Sequence, residues 1–430
     1  MMLETQPASA PLQGEVTPPG DKSISHRALI FSCLAEGESR VTGLLQSEDV
    51  KATEKACVQL GMGVRRQGQT LFLQGVGSRG LSAPGAPLDM GNSGTAMRLL
   101  AGVLAAQPFD SVLFGDESLN QRPMTRIVKP LTLMGATIET GKNGTPPLRI
   151  AGTSALHGID YESPIASAQV KSCVLLAGLY ADGQTTVSEP LLSRDHTEQM
   201  LPAFGAELVG PCGVAGGTRL TAATVHVPAD ISSAAFFMVA ATLVPGSELL
   251  LRNVGLNRTR DGIVQVLREM GADLTVHDLR RQGGEQVGDI RIRCARRLRG
   301  IDIPEEWVPS LIDEVPVIMA LAAVSEGTTR IRGAAELRVK ESDRLDVMAK
   351  GLRQLGVQLK EYEDGVDVTG GSVNGGRVDG AGDHRCAMSF AVLGQVASAA
   401  VAIEGAEHIN TSFPSFVRDL AAVGGCVDER

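Results

Sequence analysis

The segment Leu337-Arg338-Val339-Lys340-Glu341-Ser342-Asp343-Arg344-Leu345 sets two cations four residues apart with an acid between them. A helix through it would put Lys340 and Arg344 on one face. The first N–H groups of a helix lack partners and attract negative ligands, so the chemistry suited to such a segment is capture of a phosphorylated or carboxylated small molecule. A charge run of this kind also serves as a solvated helix face, and what gives it weight is recurrence. Gly20-Asp21-Lys22-Ser23-Ile24-Ser25-His26-Arg27 leads into an apolar helical run, Gly91-Asn92-Ser93-Gly94-Thr95-Ala96-Met97-Arg98 opens another, and Asp383-His384-Arg385 precedes a third. Arg122 lies in the loop segment Gln121-Arg122-Pro123-Met124. Ser167-Ala168-Gln169 and Ser193-Arg194-Asp195-His196 are polar helix entries, able to bind an anion through hydroxyls and backbone donors or simply to cap the helix.

Several other chemistries are excluded. Asp21 stands where a nucleotide P-loop needs glycine before the lysine, and Gly75-Val76-Gly77-Ser78-Arg79-Gly80 is followed by Pro84 and Pro87 where a dinucleotide fold must begin a helix. The seven cysteines are scattered without a Cys-x-x-Cys pair, and the seven histidines have no metal spacing, so neither a disulfide framework nor a metal site is expected. A Gly-x-Ser-x-Gly nucleophile elbow is missing too. The formal charge of −9 argues against general nucleic-acid affinity, so any anion site must be local. No apolar run reaches the ~18 residues of a membrane helix, and the start lacks a signal-peptide layout. A cytoplasmic, membrane-free protein with reduced thiols is expected.

The elements that must position these residues repeat. Six helical runs end at Gly61, Gly135, Gly205, Gly271, Gly356 and Gly424, 66 to 85 residues apart, and strand-like segments follow. Glycine just past a helix takes the left-handed conformation that closes its last turn. Six α/β units in 430 residues split into two sets of three, and Pro18-Pro19-Gly20 and Val227-Pro228-Ala229-Asp230 are the candidate crossings. The expected division is 1–19 plus 229–430 for one lobe and 20–228 for the other.

Together and in this order, Gly20-Asp21-Lys22-Ser23, Gly91-Asn92-Ser93-Gly94-Thr95, Arg122-Pro123, Ser167-Ala168-Gln169, Asp313-Glu314, Lys340-Glu341-Ser342-Asp343-Arg344 and Asp383-His384-Arg385 resemble the 5-enolpyruvylshikimate-3-phosphate synthase family over essentially the whole chain. The resemblance implies a two-lobed inside-out α/β barrel, each lobe of three repeated βαβαββ-type units. It also implies transfer of the enolpyruvyl group of phosphoenolpyruvate to the 5-hydroxyl of shikimate 3-phosphate, with release of phosphate and no metal or organic cofactor. Carried over by position, Lys22, Ser23, Arg27, Ser167, Ala168, Gln169, Ser193, Arg194, Asp313 and Lys340 resemble shikimate 3-phosphate contacts. Lys22, Gly94, Arg122, Gln169, Arg344 and Arg385 resemble phosphoenolpyruvate contacts. Asp313 resembles the base that takes the 5-hydroxyl proton, Glu341 the acid serving the methylene carbon, and Lys22 a third catalytic group. The two small-molecule substrates are the expected partners of a monomer.

The chain departs from many relatives at Ala168, where a second Ser is common, at Glu336, where Asn is common, and at Thr411-Ser412-Phe413-Pro414, which lacks a Lys. Ser193-Arg194-Asp195-His196 and the residues after Asp383 look instead like the herbicide-tolerant bacterial branch, whereas Gly94 leaves space beside phosphoenolpyruvate as in sensitive enzymes. Two other readings stay open. The sister UDP-N-acetylglucosamine enolpyruvyl transferase usually carries a Cys before its Arg-Pro, and residues 115–121 have none. A non-catalytic α/β repeat scaffold makes no demand on Asp313 or the clustered cations.

Overall fold

A helix in a protein's interior is buried around its whole circumference, and two groups of three helices in this chain are buried along most of their length. The computed structural model describes residues 2–430. In one group are Lys22–Leu34, Gly94–Leu104 and Ala168–Gly178, and in the other Ile231–Leu243, Val315–Ala322 and His384–Gly394. Ile231–Leu243 is buried from Ile231 to Thr242, and Val315–Ala322 and His384–Gly394 are buried throughout. Strands around them bury alternate residues, as in Ser111–Phe114, and leave the others accessible to solvent. Helices inside and sheets outside is the inside-out arrangement expected.

The chain divides into two units, Met1–Pro19 with Pro228–Arg281 and Gln286–Arg430, and Gly20–Val227 with Gln282–Glu285. This differs from the expected boundaries at Pro228 and at residues 282–285, the tip of the hairpin formed by the strands Asp273–Gln282 and Glu285–Arg293. A contiguous boundary cannot capture four residues at a hairpin tip. Each unit has its own apolar core. Phe31 and Phe204 meet edge to face at 5.6 Å in one, and Phe413 and Phe416 do so at 5.6 Å in the other.

Each unit carries three sheets. The repeat is plainest in Leu88–Asp89, Gly94–Leu104, Ser111–Phe114, Thr125–Leu133, Ile138–Glu139 and Leu148–Ile150, which run β-α-β-α-β-β. Elsewhere a strand of the repeat is borrowed from far along the chain. Thr224–His226 pairs in parallel with Ala35–Thr42, and Gln13–Val16 pairs in parallel with Glu248–Gly255. Leu3–Thr5 lies between Val401–Glu404 and Val427–Glu429. These two N-terminal strands make the first unit discontinuous.

All six repeat glycines have positive φ, from 83° at Gly205 and Gly356 to 113° at Gly61. The third copy departs from the pattern around its glycine. Pro202 has no N–H to donate, the α-helix His196–Met200 gives way to the 3-10 turn Leu201–Phe204, and after Gly205 only a bridge from Leu208 to Val214 forms.

Candidate active site

In the Gly20–Val227 unit, the helix Lys22–Leu34 starts where Asp21 accepts a hydrogen bond from the Ile24 N–H. The Lys22 ammonium donates to Asp49 at 2.7 Å. Arg27, one turn later, is 3% exposed and donates from Nε to Thr197 Oγ1 at 2.8 Å, from Nη2 to Ser172 Oγ at 2.6 Å and from Nη1 to the Ser23 carbonyl at 3.0 Å. One guanidinium thereby ties this helix to Ala168–Gly178 and His196–Met200. Burial lowers its pKa to about 10, Arg194 adds to that, and the carboxylates of Glu198 and Asp21 resist it. Between Lys22 and Arg27, His26 is fully buried against Thr53 and Ser93, and burial with its two cationic neighbours pushes its pKa well below the ordinary histidine value. Burial therefore favours its neutral form.

Gly94 opens the next helix, capped by Ser93. A β-carbon here would come within 2.8 Å of Arg98 Nη1 and 3.4 Å of Arg122 Nη1, so two guanidiniums crowd this glycine. Arg122 donates to the Asn92 side chain at 2.6 Å and to its carbonyl at 3.2 Å. Arg98 donates to Gln169 Oε1 at 2.7 Å, and Gln169 Nε2 donates to Thr95 Oγ1 at 3.0 Å. Gly94, Arg122 and Gln169 are therefore brought together, with Arg98 as their link. Ala168 is the first residue of its helix, and Ser167, its N-cap, and Ser193 both donate to Glu189.

In the other unit, the helix does not run from Lys340 to Arg344. Ala335–Val339 is a 3-10 turn, and Arg344–Gln354 begins only after Asp343, whose carboxylate caps the Asp346 N–H. Lys340 lies between the two, outside either helix, and pairs with Glu336 at 3.3 Å. The expected shared helical face of Lys340 and Arg344 is thus incorrect, because Asp343 caps the helix and fixes its start at Arg344, beyond Lys340. Arg344 is buried and bound by three carboxylates. It donates to Asp383 at 2.8 Å, to Asp313 at 3.0 Å and to Glu341 at 2.5 Å. Burial works to lower its pKa, but the three carboxylates, Asp383 foremost, outweigh that and raise it well above the ordinary arginine value. Arg385 donates to the Asp313 carbonyl at 3.1 Å and approaches the carboxylates of Asp313 at 3.8 Å and Glu314 at 3.7 Å. Asp313, Glu341, Arg344 and Arg385 form one cluster.

A match to the family model described as EPSP synthase (3-phosphoshikimate 1-carboxyvinyltransferase) covers residues 7–420. The chain belongs to the EPSP synthase family. Proteins named 3-phosphoshikimate 1-carboxyvinyltransferase from Xanthomonas euvesicatoria pv. vesicatoria (strain 85-10) and Xanthomonas campestris pv. campestris (strain B100) are each 53% identical to it over 409 residues, 94% of this chain and 93% of theirs. A 2.37 Å structure of EPSP synthase from Acinetobacter baumannii matches with TM-score 0.88 and 48% identity over 99% of both chains. A second structure from the same organism also has TM-score 0.88, with 46% identity over the full length of both. These relatives accord with the two three-part units and disfavour the sister-transferase and scaffold readings.

Sequence reasoning about an EPSP synthase family member names the cations here more readily than the acids that hold them. Asp49, Glu189 and Asp383 were missed, as was Arg98, although Arg98 lies one helical turn beyond Gly94 and that spacing was a signal for it. No such local signal existed for Glu189, which sits 22 residues from Ser167. Among the described residues no group of three or more His, Cys, Asp or Glu could hold a metal ion, and no helix is long and apolar enough to cross a membrane. Buried thiols such as Cys57 and Cys386 have pKa values well above the ordinary range, Cys57 through its hydrogen bond with Cys33 and burial, and Cys386 chiefly through burial.

Proposed function

We propose that the chain transfers the enolpyruvyl group of phosphoenolpyruvate to the 5-hydroxyl of shikimate 3-phosphate. The observation that carries this reading is the position of Asp313. Arg344 holds its carboxylate at 3.0 Å and Arg385 holds its carbonyl at 3.1 Å, so a proton acceptor stands beside two cations suited to an oxyanion-rich electrophile. In the reaction the 5-hydroxyl oxygen bonds to C2 of phosphoenolpyruvate as C3 takes up a proton. The C2–O bond to phosphate then breaks, C3 returns a proton, and inorganic phosphate leaves.

In this assignment Asp313 accepts the hydroxyl proton and Glu341 serves C3. Lys22, Arg122, Arg344 and Arg385, with Gly94 and Gln169, hold phosphoenolpyruvate. Lys22, Ser23, Arg27, Ser167, Ala168, Gln169, Ser193, Arg194, Asp313 and Lys340 serve shikimate 3-phosphate. Glu341 is the most exposed of the three acids on Arg344, at 21% of its side chain, so an incoming carboxylate or phosphate would exchange with it and release the acid for proton transfer. Preorganised donors of this kind stabilise charge that develops in the transition state.

Phosphate release from phosphoenolpyruvate, measured with shikimate 3-phosphate or with UDP-N-acetylglucosamine as acceptor, tests the proposal. Release only with shikimate 3-phosphate is expected. Release only with the UDP-sugar would transfer the assignment to the sister reaction, and none with either would remove it. The proposal takes the chain to act as a monomer in the cytoplasm, and sedimentation equilibrium checks the monomer.

A further inference from the structure

The helix Ala168–Gly178 starts differently from its neighbours. Asp21 and Ser93 cap their helices through their own side chains, accepting from Ile24 and Ala96, whereas the Ser167 side chain makes no capping bond. A buried carboxylate meets this helix start instead. Glu189 Oε1 accepts the Ser167 N–H at 2.7 Å. The same carboxylate accepts the Ser193 hydroxyl, at 2.8 Å on one oxygen and 2.7 Å on the other, and the Ser193 N–H at 3.4 Å. Two segments 26 residues apart in sequence are thus fastened to one side chain.

Burying that carboxylate needs a counter-charge, since an isolated buried ion costs several kcal/mol. Lys171, one turn into the helix, supplies it, with Nζ 3.0 Å from Glu189 and 2.8 Å from Glu198. The side chains of Lys171, Glu189 and Glu198 are 2%, 6% and 7% exposed, so the group is interior. Glu198 and Glu189 raise the Lys171 pKa against the lowering effect of burial.

Two consequences follow for a phosphate brought to this corner. With Glu189 meeting the Ser167 backbone, the Ser167 hydroxyl is not used as a cap and remains available to a ligand, beside the Ala168 and Gln169 N–H groups that begin the helix. Ser193, by contrast, has its one hydroxyl proton committed to Glu189, so toward an anion its side chain offers no donor. Its part is to fix the backbone that leads directly into Arg194. Lys171, shared with Glu198, offsets part of the repulsion that the Glu189 carboxylate would otherwise exert on an incoming phosphate.

We propose that Glu189, held by Lys171, is a positioning residue for recognition of the acceptor's phosphate: it sets Ser167 and the Ser193–Arg194 backbone in register as one phosphate cradle. This rests on the function proposed above. Glu189→Gln keeps the shape but puts an NH₂ group where one oxygen now accepts from Ser193 or meets Lys171. Titration calorimetry of the full chain with shikimate 3-phosphate and with shikimate, which lacks the phosphate, separates positioning from general structural support. Circular dichroism confirms that each variant is folded.

Glu189→Gln should lower affinity for shikimate 3-phosphate about 10- to 100-fold, the factor carried by a lost charge-assisted hydrogen bond, and leave shikimate affinity unchanged. Ser167→Ala should show the same selective loss, and a smaller one when added to Glu189→Gln, because the two act through one cradle. Equal losses for both ligands, or no loss for either, in either folded variant would overturn the proposal while leaving the functional reading intact. A folded parent chain that binds shikimate but gains nothing from the phosphate would overturn it as well. Failure of the parent chain to bind either ligand would instead bring down the functional reading, and this inference with it.

Discussion

Replacing Arg344 with Ala should destabilise its unit before it reports on ligand binding. The guanidinium is 2% exposed and is shared by Asp383 at 0%, Asp313 at 11% and Glu341 at 21% of their side chains. Without it, Glu341 can turn toward solvent and Asp313 keeps Arg385 at 3.8 Å. Asp383 keeps only the Arg385 N–H at 2.9 Å and the Ser342 hydroxyl at 3.3 Å, both neutral donors. Removing one partner of a buried ion pair costs about 3–5 kcal/mol, a large share of the roughly 5–15 kcal/mol that holds a typical domain together. Urea unfolding followed by circular dichroism should therefore show Arg344→Ala losing about that amount, while Arg344→Ala combined with Asp383→Ala recovers part of it because the orphaned charge is gone. If Arg344→Ala were as stable as the parent chain, or the double variant worse than the sum of the singles, the argument from buried charge would be wrong. The phosphoenolpyruvate contact that the family resemblance implies for Arg344 is then testable only in a variant shown to be folded.

Three further outcomes are expected. Asp313→Asn should stay folded and lower turnover by roughly 10²- to 10⁴-fold, the range for loss of a general base; unchanged steady-state turnover would take Asp313 out of the mechanism. Gly94→Ala should raise the KM for phosphoenolpyruvate by about tenfold or more, since overpacking costs roughly 1–3 kcal/mol and the new methyl meets Arg98 at 2.8 Å and Arg122 at 3.4 Å. Shikimate 3-phosphate affinity, read by calorimetry, should change little. His26 has a folded pKa well below the ordinary histidine value of about 6.5, so its contribution to stability is complete above that value and is lost as pH falls below it, at up to about 1.4 kcal/mol per pH unit. The urea midpoint of the parent chain should therefore fall more between pH 7 and pH 5 than that of His26→Gln, and parallel falls would refute the assignment.

The parts of this protein legible from sequence were those governed by local sterics and local charge. The repeat glycines could be read because an L side chain disfavours the left-handed closing conformation, and all six adopt positive φ. A capping rule that spans three residues fits Asp21 and Ser93, but not the polar entry at Ser167, whose side chain makes no capping bond. The same rule applied to Asp343 would have prevented the error of drawing one helix from Lys340 to Arg344. Family motifs named Arg27, Arg122, Arg344 and Arg385 without saying what each one touches. Those partners are long-range: Thr197 lies 170 residues from Arg27, Asp383 39 from Arg344, and Asp313 72 from Arg385. Only the packing of buried helices decides such pairs, since a desolvated charge accepts whichever opposite charge the tertiary structure delivers, and no spacing rule in one chain encodes that choice.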